Sequence, residues 1–161
     1  MSALRIRVLL GLQRLELRDG DRLLADFPVS TAARGAGERL DSLQTPRGRH
    51  EIAARIGAGA APGSVFESRE PTGEICTPER FQKEPERDWI LTRILWLRGL
   101  EPGRNQGGDV DSERRFIYIH GTPDEARIGA PHSHGCIRMR NADVVELFDR
   151  VAVGTPVEIV E

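Results

Sequence analysis

Apolar and polar residues alternate along much of the first thirty positions. Residues 6–10, 15–17 and 23–29 each place an apolar side chain at every second position, which is the period of a strand with one buried face. Asp19 and Gly20 separate two of these runs, and glycine accepts the positive φ of a tight hairpin turn. The pattern therefore predicts strands joined by a hairpin at the start of the chain.

Four later segments also have the pattern of strands. Residues 52–56 alternate after a turn that contains proline and glycine, and residues 89–97 are apolar on both alternating faces, as in a strand buried from both sides. The run "FIYIH", residues 116–120, is rich in strand-forming side chains and ends at His120. Residues 156–160, "PVEIV", predict a last strand near the end of the chain.

One segment has helical spacing. Apolar residues recur on one face of the run 142–151, "ADVVELFDRV", and Asn141 is predicted to cap its N-terminus. Gly154 fits the position after its end. Two segments, 57–88 and 98–115, have no lasting period and are predicted as long loops. The expected fold is therefore mainly β, a sheet or sandwich with one helix in the C-terminal region and long connecting loops.

Length, charge and hydropathy narrow the class of protein. The chain has 161 residues, the size of one domain, and its net charge of −2 gives no general attraction to nucleic acid or to an anionic membrane. The apolar stretch 8–12 is too short for the core of a signal peptide, and no window is long enough to span a bilayer. A cytoplasmic location is the simplest expectation. Cys76 and Cys136 form no CxxC pair, so the chain is not a disulfide scaffold.

The segment "HSHGCIRMRN", residues 132–141, concentrates chemically active side chains. His132, His134 and Cys136 alternate, and together with His120 they would make a plausible zinc shell of three imidazoles and one thiolate. However, the chain contains neither a paired-cysteine loop nor an HExxH helix to support a zinc site. Zinc binding is therefore kept as a minority hypothesis.

A cysteine nucleophile explains more of these residues. A thiol needs a base, and both His120 and His134 are candidates; His120 is favoured because it can approach the sulfur of Cys136 from a neighbouring strand. Gly135 allows a strained turn and leaves room for substrate, and the N–H groups of Gly135 and Cys136 could hold an oxyanion. Arg138 lies where a guanidinium could bind a substrate carboxylate.

Structural roles compete with these functional ones. Tyr118 alternates with His120, so it either lines the site or packs in the core. Arg138 could simply form a surface ion pair with an acid such as Asp143. A structural or surface role is the simpler interpretation for three further residues: His50, Cys76 and His132.

Two segments of the chain resemble a known family. "IHGTPDEARIGAPHSHGCIRM", residues 119–139, is similar to the signature of L,D-transpeptidases with a YkuD-type catalytic domain: a His-Gly pair, a spacer, then Ser-His-Gly-Cys, a hydrophobic residue and often arginine. "QTPRGRHEI", residues 44–52, resembles the strand entry found upstream in this family. The resemblance is strong over 116–161, weaker in the N-terminal strands and slight over 57–115. It implies a single YkuD-like β-sandwich catalytic domain over residues 1–161.

The resemblance also implies a reaction and its residues. Cys136 would attack the carbonyl of the third residue of a peptidoglycan tetrapeptide stem, releasing D-alanine and leaving a thioester. His120 would act as general base and acid, with the Gly121 carbonyl orienting its ring and Gly135 contributing to the oxyanion site. His134 would shape the site, and three residues are expected to bind substrate: Tyr118, Ser133 and Arg138. The implied partners are stem peptides or muropeptides, and no metal or cofactor is implied.

The acceptor of the acyl group decides the activity. An amine would give an L,D-transpeptidase that cross-links the wall or exchanges D-amino acids, whereas water would give an L,D-carboxypeptidase. Because no export signal is seen, the sequence resembles the cytoplasmic L,D-carboxypeptidases of murein recycling, and water is the expected acceptor. The loops 57–88 and 98–115 are predicted to form a lid that closes the acceptor side. A periplasmic location and a non-catalytic muropeptide-binding module are the alternatives.

Overall fold

The computed structural model describes residues 3–161. Within that range no helix is long and apolar enough to cross a membrane. The same residues form ten β-strands and two α-helices, together with 3₁₀ turns at Gly108–Val110 and Glu125–Arg127. The strands are β1 Leu4–Leu9, β2 Arg14–Asp19, β3 Arg22–Ser30, β4 Gly48–Ile56, β5 Ser64–Glu67, β6 Glu70–Ile75, β7 Ile90–Gly99, β8 Tyr118–Gly121, β9 Ile137–Met139 and β10 Pro156–Val160. The helices are α1 Pro78–Lys83 and α2 Asn141–Arg150.

The strands form one sheet that closes on itself. Its order is β4-β10-β1-β2-β3-β9-β8-β7, and β7 pairs again with β4, while the β5-β6 hairpin attaches to the side of β7. The enclosed core combines the inward residues of the strands with Val144, Leu147 and Phe148 of α2. The predicted mainly β, sandwich-like fold with a helix in the C-terminal region is therefore confirmed.

The predicted hairpin is present, whereas the predicted helix cap is wrong. Asp19 pairs with Arg22 across a two-residue turn in which Gly20 has φ 59°. Asn141 is the first residue of α2, and Arg140 occupies the cap position without a side-chain hydrogen bond. The Asn141 side chain instead donates to the carbonyl of Thr122, 2.9 Å away. Gly154 does not end the helix either, since it lies in the turn that leads into β10.

The segment 57–88 is more ordered than its sequence predicts. It contains β5, β6 and α1, although the prediction was one long loop. The strand β5 has only four residues and is stabilised by pairing with β7, so its own sequence carries too short a pattern to detect. Thr77 caps α1 by accepting a hydrogen bond from the backbone N–H of Arg80, with Pro78 at the start of the helix.

The second connection, residues 98–115, is held against β4 by hydrogen bonds. The strand β7 extends to Gly99, and beyond it Ser112 lies 2.8 Å from the Nε2 atom of His50. Both of these side chains are fully buried, and the side chain of Asn105 donates to the carbonyls of Arg47 and Arg49. His50 is therefore structural, and the connection delivers the chain to the start of β8 in a fixed position.

Candidate active site

Two neighbouring strands bring the predicted nucleophile and base together. The strands β8 and β9 pair in parallel, with His120 opposite Arg138. Cys136 directly precedes β9, and its sulfur accepts a hydrogen bond from the backbone N–H of Tyr118 at 3.3 Å. Because side chains alternate along a strand, His120 lies on the same face of β8 as Tyr118. The register of this strand pair thus puts the side chains of His120 and Cys136 on the same face of two neighbouring strands.

His120 is held in one orientation by its own strand. Its ring is 1% exposed, and Nδ1 lies 2.6 Å from the carbonyl oxygen of Gly121. A carbonyl can only accept, so Nδ1 carries the proton and Nε2 is left as a base. Burial lowers the pKa of His120, and the hydrogen bond to Gly121 opposes that change only in part. The imidazole is therefore neutral at pH 7.

Position 121 has no room for a side chain, because neighbouring atoms pack closely against Gly121. A Cβ atom at this position would lie 2.3 Å from Oδ1 of Asn141 and 2.7 Å from the carbonyl oxygen of Leu91. Asn141 also accepts a hydrogen bond from the hydroxyl of Thr92 at 2.5 Å. This packing fixes the carbonyl of Gly121 against the ring of His120.

The Cys136 thiol is half-buried between two backbone groups. Besides accepting from Tyr118, it donates to the carbonyl oxygen of Phe116 at 3.3 Å. Phe116 is a non-glycine residue with φ 57°, a conformation that costs energy and is found at functional positions. Burial raises the pKa of the Cys136 thiol, and the Tyr118 N–H lowers it by less. The resting site therefore holds a neutral thiol beside a neutral imidazole.

Fixed charges of both signs surround this pair. The guanidinium of Arg138 lowers the pKa of both Cys136 and His120, and the carboxylate of Asp88 raises both. Arg115 also lowers the pKa of the thiol, and it is fixed by donating to the carbonyl of Gln44 at 2.7 Å. The sequence analysis missed Asp88 and Arg115, since neither belongs to a motif or a periodic segment.

Hydrogen bonds of Ser133 stabilise the turn before Cys136. The hydroxyl of Ser133 donates to the carbonyl of Cys136 at 2.6 Å and accepts the Gly135 N–H at 3.2 Å. Gly135 has φ 133°, and Thr45 donates to its carbonyl at 2.9 Å. A Cβ atom on Gly135 would lie 3.2 Å from the carbonyl oxygen of Gln44, so glycine is needed for both conformation and space.

A cleft of about 520 Å³ opens beside these residues. The segment between α1 and β7 forms one wall, and the link between β8 and β9 forms the other. His132, His134 and Arg138 line this second wall, and both histidines are exposed. The cleft is thus polar on one side, where Arg127 and Arg138 lie with Asp124, and partly apolar on the other, where Phe81 and Trp89 lie.

A smaller cleft of about 220 Å³ reaches the thiol from another direction. His134 lines both clefts, whereas Cys136 lines only the smaller one. The remaining lining residues are Leu40, Asp41, Leu43, Arg114, Arg115, Phe116 and Ile117. The thiol of Cys136 is therefore exposed to the smaller cleft, and His134 lies between the two clefts.

The comparisons with known proteins agree with this geometry. The family model of the L,D-transpeptidase catalytic domain, YkuD, matches residues 4–159. The chain belongs to the L,D-transpeptidase family. The protein named YkuD in Bacillus subtilis (strain 168) is 30% identical over 169 residues, which cover 89% of this chain and 96% of that protein.

Other family members match over different lengths. The YkuD protein of Bacillus licheniformis is 54% identical over 155 residues, which cover 96% of this chain and 64% of that protein. Further curated L,D-transpeptidases match only over 47 residues, 15% of their length. The structure of an L,D-transpeptidase from Mycobacterium smegmatis superposes with a TM-score of 0.59 at 20% identity, covering 99% of this chain and 59% of that chain. This likeness confirms the fold.

Within the L,D-transpeptidase fold, three predicted site residues have roles different from those expected. Ser133 is buried and closes the turn, so it is not placed to bind substrate. The side chain of Tyr118 is buried in a core cluster with Phe66 and Ile94, against which Cys136 packs, and the Tyr118 backbone N–H donates to the thiol. The N–H of Gly135 is engaged by Ser133, whereas the Cys136 N–H has no hydrogen-bond acceptor among residues 3–161.

Three other predictions concern an ion pair of Arg138, a zinc site and a lid over the acceptor side. Arg138 forms no ion pair with any described residue, so the surface pair with Asp143 is absent from the structure. Among the described residues no group of three or more His, Cys, Asp and Glu side chains is placed to hold a metal ion, which includes the predicted zinc set. The segment 57–88 does line the larger cleft, but both clefts remain open, so the predicted closure of the acceptor side is not observed.

Proposed function

We propose that this L,D-transpeptidase domain forms an acyl-enzyme on Cys136 from peptidoglycan tetrapeptide stems. One observation carries the proposal: His120, with its Nδ1 proton donated to Gly121, lies on the strand beside a thiol held by the N–H of Tyr118. This arrangement supplies a nucleophile, a base with a fixed tautomer and a backbone group that stabilises sulfur charge.

In the first half-reaction the Cys136 proton moves to Nε2 of His120 while the sulfur bonds to the carbonyl carbon of the third stem residue. The Cys136 N–H stabilises the resulting oxyanion. Protonated His120 gives its proton to the nitrogen of the leaving D-alanine as the C–N bond breaks. A thioester on Cys136 and a neutral imidazole remain. Because burial favours the neutral forms of both groups, proton transfer accompanies attack and no ion pair precedes it.

The larger cleft is proposed to bind the donor stem. Its terminal carboxylate is anionic, and Arg138 offers a guanidinium that no described carboxylate neutralises. His132 and His134 extend this polar wall, and Trp89 provides an apolar surface for the stem. A bidentate contact from Arg138 to the carboxylate would place the preceding carbonyl near the thiol.

The molecule that accepts the acyl group from Cys136 distinguishes two activities within the family. Water would give the L,D-carboxypeptidase that the sequence analysis expects, and an amine would give transpeptidation. The smaller cleft supports an amine, because its 220 Å³ on the open side of Cys136 can hold far more than one water molecule. Asp41 lines this cleft and could pair with an ammonium group. We therefore propose amine transfer as the principal outcome, with hydrolysis as its competitor; the cytoplasmic location stays a prediction.

Mass spectrometry of the products tests both parts of the proposal. The purified protein is incubated with a soluble muropeptide tetrapeptide, alone and with a D-amino acid in excess. Dimers or D-amino-acid-exchanged stems support amine transfer, whereas tripeptide plus D-alanine alone would make water the acceptor. The Cys136→Ala variant should be inactive and the Cys76→Ala variant active. Turnover by Cys136→Ala, or none by the parent protein, would contradict the acyl-enzyme proposal.

A further inference from the structure

A third cleft, of about 450 Å³, lies next to the smaller cleft at Cys136. Trp96 and Phe116 form its apolar surface, and Asp111, Glu113 and Arg114 form its polar edge. Phe116 and Arg114 line both this cleft and the one that reaches the thiol. A ligand that extends from Cys136 past Phe116 would therefore enter the third cleft.

The aromatic residues of this cleft form a fixed platform. The rings of Trp96 and Phe116 lie 6.1 Å apart at an angle of 45°, and the Arg69 guanidinium lies 4.8 Å from the first and 4.9 Å from the second. Arg69 is held in turn by donating to the hydroxyl of Tyr118 at 3.0 Å, and the Trp96 indole donates to the carbonyl of Glu113 at 3.0 Å. Such cation–π and hydrogen-bond contacts orient both rings before any ligand arrives.

Two charged side chains at the edge of the platform are free to bind a ligand. Neither the carboxylate of Glu113 nor the guanidinium of Arg114 has a side-chain hydrogen bond or a close ion pair with a described residue. Each has a more distant opposite charge nearby: Glu113 raises the pKa of Arg98, and Arg114 lowers the pKa of Asp111. Phe116 is 50% exposed and, with the partly buried Trp96, gives the cleft an accessible apolar surface. The cleft therefore combines apolar faces with a carboxylate and a guanidinium whose hydrogen-bonding atoms have no partner among the described residues.

This combination matches the chemistry of an amino sugar. The C–H faces of a pyranose ring are apolar and pack on aromatic rings, whereas its hydroxyl groups donate to a carboxylate. An acetamido carbonyl or an acidic substituent on the sugar would accept from a guanidinium. An apolar peptide side chain would use the rings but would leave Glu113 and Arg114 without partners.

We propose that the Trp96–Phe116 cleft binds the amino sugar to which a stem peptide is attached. The inference rests on the proposed function: the stem is the acceptor, and its amine lies in the smaller cleft at Cys136. It adds a prediction about specificity: the protein acts preferentially on stems that still carry sugar, over free peptides.

Calorimetric titration of the inactive Cys136→Ala protein tests this preference without any turnover. The two probes are a disaccharide-tetrapeptide and the same tetrapeptide without sugar. We expect the sugar-bearing probe to bind about tenfold more tightly, the gain from one or two additional hydrogen bonds and a stacking contact. Adding Glu113→Gln or Trp96→Leu should remove most of that gain, while affinity for the free tetrapeptide stays unchanged. Glu146→Gln, on the exposed face of α2, is the matched control.

Each result bears on the proposal directly. Equal affinities for the two probes in the Cys136→Ala protein would overturn it. A gain that survives in both the Glu113→Gln and Trp96→Leu proteins would place the sugar elsewhere and overturn it too. Melting temperatures and tetrapeptide affinity show whether each variant is folded. Failure of the proposed function appears separately, as absence of product from the parent protein.

Discussion

Protonation of His50 is expected to make the folded protein sensitive to acid. Its imidazole is fully buried, with Nε2 2.8 Å from the Ser112 hydroxyl and Nδ1 3.0 Å from the carbonyl of Gly48. Burial lowers its pKa from 6.5 to about 4, against the smaller raising influence of Gly48 and of the carboxylate of Glu101. Below pH 6.5 the unfolded chain therefore binds a proton that the folded chain does not. Stability is lost as pH falls from that value through about 4.

The size of this loss follows from the two pKa values. With 6.5 in the unfolded chain and about 4 in the folded one, lowering the pH from 7.5 to 4.5 removes about 2.5 kcal/mol of unfolding free energy. Urea denaturation at both pH values measures the loss in the parent protein and in His50→Gln, which cannot titrate. The parent should lose about 2.5 kcal/mol more than the variant. Equal losses, with equal denaturant slopes, would refute the reasoning.

Three further predictions concern the active site. In a Cys76→Ser background, iodoacetamide should alkylate Cys136 at a rate that rises steadily from pH 6 to 9, because burial raises the pKa of the thiol; a plateau beginning below pH 7 would indicate a preformed thiolate instead. Gly121→Ala should destabilise the fold by about 1–3 kcal/mol in chemical denaturation, since the new methyl group collides with Asn141, and a neutral effect would contradict this packing. Arg138→Gln should lower kcat/KM for a tetrapeptide with a free terminal carboxylate by about 10- to 100-fold. The same substitution should change little when that carboxyl is amidated, and an equal loss on both substrates would argue against carboxylate recognition.

The sequence predicted the centre of the site because its chemistry is local. Cys136, Gly135 and Arg138 lie within one short segment, and the strand-forming residues 116–120 indicate on their own that His120 lies near the end of a strand. The regular strands were found for the same reason: the one buried face of β1 leaves a period of two, and the two buried faces of β7 leave a continuous apolar run. Patterns of this kind lie within one segment and do not depend on contacts with distant parts of the chain.

The remaining features depend on pairing between distant segments. The strand β5 is ordered by β7, and no pattern within its four residues indicates that. Asp88 and Arg115 reach the thiol through connections without periodicity, so only the fold shows their charges to be close to Cys136. Asn141 was predicted as a cap because its type favours that position, but a tertiary contact with Thr122 takes its side chain instead.

The strands β8 and β9 position the catalytic pair, whereas the link between them forms one wall of the proposed substrate cleft. The distance between base and nucleophile is set by the register of the two strands, whereas the side chains of the link, residues 122–136, line the larger cleft. Loops tolerate insertion and exchange far better than paired strands do. Residues 122–132 of the link can therefore diversify, in nature or in the laboratory, while the turn 133–136 that carries Cys136 stays unchanged. Grafted links of different length offer a direct route to enzymes of this fold that act on other peptides.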